Sequence, residues 1–221
     1  MMLPGIFKKS KTGLLQNERQ AFTGSMVTMK DIILDILDAG IEIKRRCIET
    51  NIDNIITAAR MLASCMASGN KVFFFGNGGS AADAQHLAAE LINRFQIERP
   101  PLAAIALTTD TSVLTSIGND YHFDEIFSKQ IHALGKKGDI AWGVSTSGNS
   151  PNVLKAVSAA QKIGLITIGM TGRAGKLGAC ADLVLSVESD VTARVQETHI
   201  MLGHIVCDLL ERKLYPEKFL N

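Results

Sequence analysis

The hydrophobic pattern changes along the chain, from helical spacing near the N-terminus to short continuous apolar runs. Between residues 29 and 68 apolar side chains recur every three or four positions, which predicts two helices with a break near Thr50–Asn51. Continuous runs, each followed by Gly, Ser, Thr or Asp and a helical segment, are typical of parallel strands covered on both faces. The runs are Val72–Phe75, Leu102–Leu107, Ile140–Val144, Leu165–Met170 and Leu183–Val187.

The two ends of the chain differ from this alternating pattern. The last segment, about residues 191 to 214, predicts a long and largely buried helix. Residues 1 to 25 show no sustained period, so we expect a flexible extension or a segment foreign to the native protein. The pattern therefore predicts one α/β domain over residues 26 to 221, with a parallel sheet and N-terminal helices packed on the core.

Composition and charge narrow the functional classes. A chain of 221 residues with 46% hydrophobic content can bury a substantial core as one domain. The net charge is +1 and the charges are dispersed, which argues against binding to nucleic acid or anionic lipid. The 4 cysteines form no CxxC pair, and no apolar run reaches the roughly 20 residues that span a bilayer. We therefore expect a cytoplasmic protein without a secretory leader.

The first candidate ligand loop follows the first predicted strand. It reads Gly76-Asn77-Gly78-Gly79-Ser80, and in a parallel sheet ligands bind at this carboxyl end, where N–H groups of the next helix point outward. The glycines allow close backbone approach, and Ser80 is expected to cap the following helix. The loop matches neither a dinucleotide motif nor a P-loop. Since a tight turn explains it equally well, this loop alone is a weak indication of ligand binding.

The second candidate loop is richer in hydroxyl groups. Its hydroxyl residues are Ser145, Thr146, Ser147 and Ser150. They surround Gly148 after another predicted strand, and Pro151 suits the first position of the next helix. A helix cap needs one hydroxyl, so four of them with free amides favour a phosphate cradle that contains no Lys or Arg. A sugar monophosphate is the leading ligand class, because a triphosphate usually requires Lys and Mg²⁺.

Two predicted helices carry polar groups that could meet near these loops. His86 and Glu90 lie four residues apart on one helical face. The final helix places Gln196, Glu197 and His204 among apolar residues, where polar groups need partners. At about 100° per residue, Gln196 and Glu197 both fall within about 80° of His204, so geometry leaves its partner open. Such a cluster could transfer protons or bind zinc; an exposed ion pair and a core histidine are the structural alternatives.

Taken together, these motifs resemble the phosphoheptose isomerases, also called sedoheptulose 7-phosphate isomerases, of the SIS (sugar isomerase) domain family. The resemblance runs from about residue 30 to 215 and keeps the order and spacing of the motifs. The matching segments are Gly76–Ser80, His86, Glu90, Gly118-Asn119-Asp120, Ser145–Ser150, Ala193–Glu197 and His204.

The resemblance implies a three-layer SIS fold, with a five-stranded parallel sheet flanked by helices, in a homotetramer. It implies conversion of D-sedoheptulose 7-phosphate to D-glycero-D-manno-heptose 7-phosphate, the first step of ADP-heptose biosynthesis for lipopolysaccharide or other surface glycans. By the same likeness, the phosphate would be held by Ser145, Thr146, Ser147 and Ser150. The sugar would contact Asn77, Gly78, Gly79, Ser80, Glu90, Asn119, Asp120 and Gln196.

The resemblance also implies a metal and an acid–base pair. A zinc site of the family matches His86, Glu90, Gln196 and His204, which selects Gln196 over Glu197. Glu90 and His204 match the catalytic pair that moves protons through an enediol or enediolate. Ala193 stands where some isomerases have an Asp, which removes one polar contact and leaves the four-residue cluster intact.

Two alternatives share the same fold. One is a non-enzymatic adaptor that binds the replication initiator DnaA; it lacks the equivalents of Glu90 and His204, whereas this chain has both. The other is a regulatory sugar-phosphate sensor, for which no DNA-binding helix-turn-helix is evident in the sequence. Both alternatives are therefore less favoured than an isomerase.

Overall fold

The structure is a computed structural model that describes residues 27–173 and 175–220. The extension expected at residues 1 to 25 lies outside the described residues. The chain falls into two compact units, Met1–Ile36 and Leu37–Asn221. In the described part of the first unit, Thr28 and Asp31 cap a helix reciprocally: the Thr28 N–H donates to Asp31 Oδ2 (2.9 Å) and the Asp31 N–H to Thr28 Oγ1 (3.2 Å).

Helices and strands alternate along the described chain. The α-helices are α1 Met29–Ala67, α2 Gly79–Ile92, α3 Thr111–Asp120, α4 Ile126–Leu134, α5 Pro151–Lys162, α6 Leu177–Cys180 and α7 Thr192–Leu214. The strands are β1 Val72–Gly76, β2 Ala104–Ala106, β3 Ile140–Ser145, β4 Ile166–Thr171 and β5 Leu183–Ser186. Short 3₁₀ turns cover Phe123–Glu125 and Pro216–Phe219. Each of the five predicted strands is confirmed, as is the long final helix.

The strands form one parallel sheet in the order β2-β1-β3-β4-β5. Phe74 joins the core formed with α1, α2 and α7 on one face, whereas Phe73 and Phe75 join the core formed with α4 and α5 on the other. Every residue of β1 and β3 is buried, which explains their continuous apolar sequences. The predicted three-layer α/β fold is therefore confirmed.

The predicted break near Thr50–Asn51 is wrong, because α1 continues through it. Asn51 is buried and has partners on both sides: its Nδ2 donates to the Cys47 carbonyl (2.8 Å) and to the Ser186 carbonyl (2.9 Å). Its Oδ1 accepts from the Ser186 N–H at 3.1 Å. The polar side chain thus ties α1 to the end of β5 and also bonds a carbonyl one turn earlier in the same helix.

The strand order brings the two candidate loops side by side. β1 pairs with β2 on one side and with β3 on the other, so the chain reverses its direction across the sheet between β1 and β3. Gly76 is in register with Val144, so the segments that follow these two strands leave the sheet at neighbouring positions. Such a switch point forms a crevice at the carboxyl edge of an open α/β sheet. Within residues 27–173 and 175–220, no helix is long and apolar enough to cross a membrane.

Candidate active site

The helix α2 begins two residues earlier than expected. Gly78, with φ of 56°, occupies the N-cap position, and the Ser80 N–H donates to the Asn77 carbonyl at 3.0 Å. The prediction that Ser80 caps the helix is therefore wrong. Ser80 is instead a buried residue of the first turn, packed so closely on Gly76 that a Cβ there would lie 2.8 Å from the Ser80 Cβ. Only glycine fits at position 76.

Three hydroxyls of the second loop form a connected group. Ser145 Oγ lies 3.0 Å from Ser150 Oγ and 3.4 Å from Ser147 Oγ. Ser147 Oγ also accepts a hydrogen bond from the Asn149 N–H at 3.2 Å. The helix α5 starts at Pro151 directly behind this group, as expected. Hydroxyls and a helix N-terminus at one point provide donors for an anion.

A reciprocal amide pair joins the two loops. Asn77 Nδ2 donates to Asn152 Oδ1, and Asn152 Nδ2 donates to Asn77 Oδ1, both at 2.9 Å. Asn152 is buried, and its Oδ1 also accepts from the Val153 N–H at 2.9 Å. Asn77 is therefore fixed relative to the start of α5. The sequence did not single out Asn152, because its partner lies 75 positions earlier.

The hydroxyl loop borders a cavity of about 300 Å³ that also contains charged groups. Its lining residues are Thr146, Ser147, Arg173, Ser189, Asp190, Thr192 and Val195. Arg173 arrives on the segment after β4, which is tied to the hydroxyl loop by the Gly172 N–H donating to the Thr146 carbonyl at 3.1 Å. The guanidinium lies 3.5 Å from Asp190 and from Glu188. The hydroxyl loop itself contains no Lys or Arg, but Arg173 of another loop lines the same cavity.

α2 and α7 bring three of the predicted active groups together. His86 Nε2 lies 2.9 Å from Glu90 Oε1 and 3.1 Å from His204 Nε2. The two imidazole rings are 4.9 Å apart between centroids. His86 is exposed, whereas Glu90 and His204 are half-buried. The cluster of His86, Glu90 and His204 predicted from the sequence is therefore present.

Close contacts between α2 and α7 explain this approach. A Cβ on Gly203 would lie 2.5 Å from Leu87 Cδ2, so the missing side chain lets the helices touch beside the two histidines. A Cβ on Gly79 would lie 2.4 Å from Gln196 Nε2. Early residues of α2 thus meet early residues of α7, and the two helices run in the same direction. The side chain of Gln196 on α7 therefore lies beside the start of α2, two turns before His86.

The electrostatics of the cluster follow from its partial burial. Burial, reinforced by the neighbouring His86, lowers the pKa of His204, and Glu90 opposes that shift. One turn before His86, burial raises the pKa of Asp83 to about 6, partly offset by His86. Asp83 Oδ2 is buried and accepts no hydrogen bond within residues 27–173 and 175–220. His199, by contrast, is a core histidine: its Nε2 is 3.1 Å from the Thr171 carbonyl and burial lowers its pKa to about 4.

The chemistry of the three donors fits a zinc ion. Their ligand atoms all lie within 4.8 Å of one another, and two imidazoles with a carboxylate are an ordinary zinc donor set. Two nitrogens bound tetrahedrally at about 2.05 Å would be about 3.3 Å apart, close to the 3.1 Å between His86 and His204. These residues could thus hold a metal with little movement of the side chains.

The other predicted site residues lie elsewhere. Asn119 and Asp120 are exposed at the end of α3, where Asn119 Nδ2 donates to Asp120 Oδ1 at 2.8 Å. The helix α3 packs against α4 and the turn before it. Glu197, the alternative to Gln196, is exposed and forms an ion pair with Arg194.

Comparison with known proteins identifies the family. A family model described as "SIS domain" matches residues 37–172. The phosphoheptose isomerase of Nitratidesulfovibrio vulgaris strain Hildenborough is 52% identical over 185 residues, 83% of this chain and 89% of that protein. The phosphoheptose isomerase of Shewanella loihica is 50% identical over 195 residues, 86% of this chain and 98% of its own length.

A solved structure agrees with these relatives. The phosphoheptose isomerase from Neisseria gonorrhoeae superposes with a TM-score of 0.79 at 44% identity, over 83% of this chain and 99% of that one. Fold, active groups and sequence identity therefore lead to the same assignment: the chain belongs to the SIS domain family and, within it, to the phosphoheptose isomerases, which are sugar-phosphate isomerases.

Proposed function

We propose that this protein converts D-sedoheptulose 7-phosphate to D-glycero-D-manno-heptose 7-phosphate. The cluster of His86, Glu90 and His204 carries the proposal, because an aldose–ketose isomerisation needs a base and an acid at adjacent atoms of the sugar. Sequence identity to relatives named for this substrate class supports it. The product would enter ADP-heptose biosynthesis in the cytoplasm, for lipopolysaccharide or another surface glycan.

The proposed proton transfers use Glu90 and His204. The Glu90 carboxylate removes a proton from C1 of the ketose, and the C–H electrons form the C1–C2 double bond of an enediol. The carbonyl oxygen at C2 takes a proton from protonated His204. In the second half, His204 takes back the proton of the C1 hydroxyl as the aldehyde forms, and Glu90 returns its proton to C2. Histidine suits this exchange because its unperturbed pKa lies near neutrality. Burial lowers the pKa of His204, which favours the neutral form that accepts the proton in the second half.

The two loops provide the proposed substrate contacts. Phosphate binds to the hydroxyls and N–H groups of the second loop, at Ser145, Thr146, Ser147 and Ser150. The connected hydroxyls and the start of α5 support this placement. The sugar contacts are proposed at Asn77, Gly78, Gly79 and Ser80 of the first loop and at Glu90 and Gln196 of the two helices. Asn119 and Asp120, at the end of α3, complete the proposed set.

Zinc is the proposed metal, and His86, Glu90 and His204 would hold it. Gln196, the fourth ligand that the family likeness implies, would have to move from its place against Gly79 to reach the ion. When bound, it polarises the hydroxyl and carbonyl oxygens of the sugar and stabilises the enediolate. The His204 Nε2 cannot hold a metal and a proton together, so metal and acid–base roles must be separated by experiment.

A homotetramer is the proposed assembly. In the second unit, α1 exposes apolar residues that lie within about 100° of one another around the helix. They are Leu37, Ile41, Ile52 and Ile56. Several exposed apolar residues on one face of a helix are characteristic of a protein interface. Light scattering should give four times the chain mass of 23.8 kDa, and a monomer would contradict the assembly.

The experiment for the reaction uses the purified full chain and sedoheptulose 7-phosphate. The aldose product is detected by NMR of its anomeric proton, with and without a chelator. Glu90→Gln should abolish turnover and retain the fold, while Glu98→Gln, whose side chain is 87% exposed, should keep full activity. Near-normal turnover by Glu90→Gln would remove Glu90 from the chemistry. Loss of activity with chelator and its return with zinc would support a catalytic metal.

A further inference from the structure

A buried ion pair lies next to the proposed catalytic helices but takes no part in the proton transfers. Arg99 Nε is 2.9 Å from Glu211 Oε1, and both side chains have 0% exposure. Burying two charges is costly unless their remaining hydrogen-bonding groups are satisfied. The partners of this pair therefore indicate what it holds in place.

Glu211 holds the turn that follows α2. Its Oε1 accepts from the Phe95 N–H at 3.0 Å, and its Oε2 accepts from the Gln96 N–H at 2.8 Å and the Ile97 N–H at 3.2 Å. Glu211 itself lies on α7, seven residues after His204, which is about two helical turns on the same face. The turn is thus attached to the helix that carries His204.

Arg99 attaches the same turn to the end of α2. Its guanidinium donates to the carbonyls of Glu90 and Leu91, both at 2.8 Å, and to that of Pro100 at 3.1 Å. The carbonyls in the last turn of a helix lack helical partners, so this cation stabilises the end of α2. The ion pair thereby connects the segment of α2 that carries Glu90 to α7.

The held turn brings an aromatic ring against His204. The ring of Phe95 stacks on the His204 imidazole, with centroids 5.4 Å apart and an interplanar angle of 27°. His86 lies against the same imidazole at 4.9 Å between centroids and a 59° angle. The imidazole is therefore enclosed between Phe95 and His86, and the backbone of Phe95 cannot withdraw while Glu211 holds its N–H.

We infer that Phe95 is a positioning residue, whose ring, anchored by the Arg99–Glu211 pair, keeps the imidazole of His204 in the orientation that proton transfer requires. The inference rests on the proposed function of His204. Replacing the ring with an aliphatic side chain leaves space in which the imidazole turns away from His86 and Glu90. Misplacement of a reacting group by about 1 Å can cost on the order of a hundredfold in rate.

The test compares Phe95→Leu, Phe95→Tyr and the unmodified protein. We expect Phe95→Leu to lower kcat by about ten- to a hundredfold while KM changes little, because the phosphate and sugar loops are untouched. Phe95→Tyr keeps the ring and should restore kcat. Phe219→Leu is the matched control, since that ring lies over Arg212 instead of a histidine and its loss should leave kcat unchanged.

A spectroscopic readout independent of turnover completes the test. The chain has 5 histidines, so labelling their Cε1 carbons gives few resonances, and His204→Gln identifies the relevant one. Loss of the stacked ring should move the His204 resonance downfield in Phe95→Leu but not in Phe95→Tyr. An unchanged resonance or an unchanged kcat in folded Phe95→Leu overturns the inference, as does equal loss of kcat in both variants. Failure of the unmodified protein to isomerise sedoheptulose 7-phosphate would instead refute the proposed function.

Discussion

Gly203→Ala perturbs the contact on which the active cluster depends. The added Cβ would lie 2.5 Å from Leu87 Cδ2 and 2.9 Å from Leu87 Cδ1, whereas carbon atoms pack at about 3.5–4.0 Å. Leu87 is fully buried in the core between α2 and α7, so it has little room to move away. We therefore expect the helices to separate by about 1 Å where His86 meets His204.

The effects on stability and on activity should differ in size. Overpacking a core costs about 1–3 kcal/mol. Replacing a helical glycine with alanine returns about 1 kcal/mol of helix propensity. The net loss is about 0–2 kcal/mol, which a domain of this size tolerates. The same 1 Å shift applied to the 3.1 Å contact between the histidines should lower kcat by on the order of a hundredfold.

Steady-state kinetics and thermal unfolding measure the two effects on the same samples. Gly178→Ala is the matched control, because its added Cβ would meet only Thr171 Cγ2 at 3.9 Å and Val184 Cγ1 at 4.0 Å, which are ordinary contacts. The control should keep full activity. A folded Gly203→Ala protein with the kcat of its parent would refute the reasoning that the approach of α2 to α7 sets the geometry of the cluster.

Three further changes test separate parts of the site. Gly79→Ala places a Cβ where the Gln196 amide lies, so it should raise KM for the sugar phosphate with the fold retained in circular dichroism; an unchanged KM would remove Gln196 from substrate binding. Asp83→Asn removes a carboxylate whose pKa in the folded protein, about 6, is above its ordinary 3.8. Ionisation of Asp83 therefore lowers the free energy of unfolding of the parent as pH rises from 3.8 to 6. The variant should therefore unfold at a higher temperature than the parent above pH 6, and the two should converge near pH 3.8; a constant difference would contradict this. Ser147→Ala removes one hydroxyl donor to the phosphate and should weaken sugar-phosphate binding about tenfold or more, measured by calorimetry; unchanged affinity would place the phosphate elsewhere.

The strands could be predicted because a strand buried on both faces has a continuous run of apolar residues. A strand such as β1, all of whose residues are buried, has no polar position to interrupt its apolar run. The cluster of His86, Glu90 and His204 was also accessible, since helical spacing places the first two on one face and chemistry suggests the third. These features depend on local sequence and on residue types with distinctive chemistry.

The failures concern residues whose behaviour is decided by distant partners. Asparagine usually favours a helix end. Asn51 instead lies inside α1, where it forms hydrogen bonds with Ser186, 135 residues later. Serine is a common N-cap residue, but the helix begins after Gly78, which has a positive φ, and Ser80 is buried in the first turn. Arg173 and Phe95 were missed because an arginine or a phenylalanine has no significance for catalysis until the fold places it beside a loop or an imidazole.

The reciprocal hydrogen bonds between Asn77 and Asn152 couple the stabilities of the two ligand loops. A change at either asparagine leaves the other amide without its partner, so substitutions in the loop after β1 will alter the loop after β3 as well. Effects of mutations in the two loops should consequently fail to add, and a double-mutant cycle across the pair would measure their coupling directly. Any redesign of substrate preference must therefore treat both loops together, since neither can be optimised while the other is held constant.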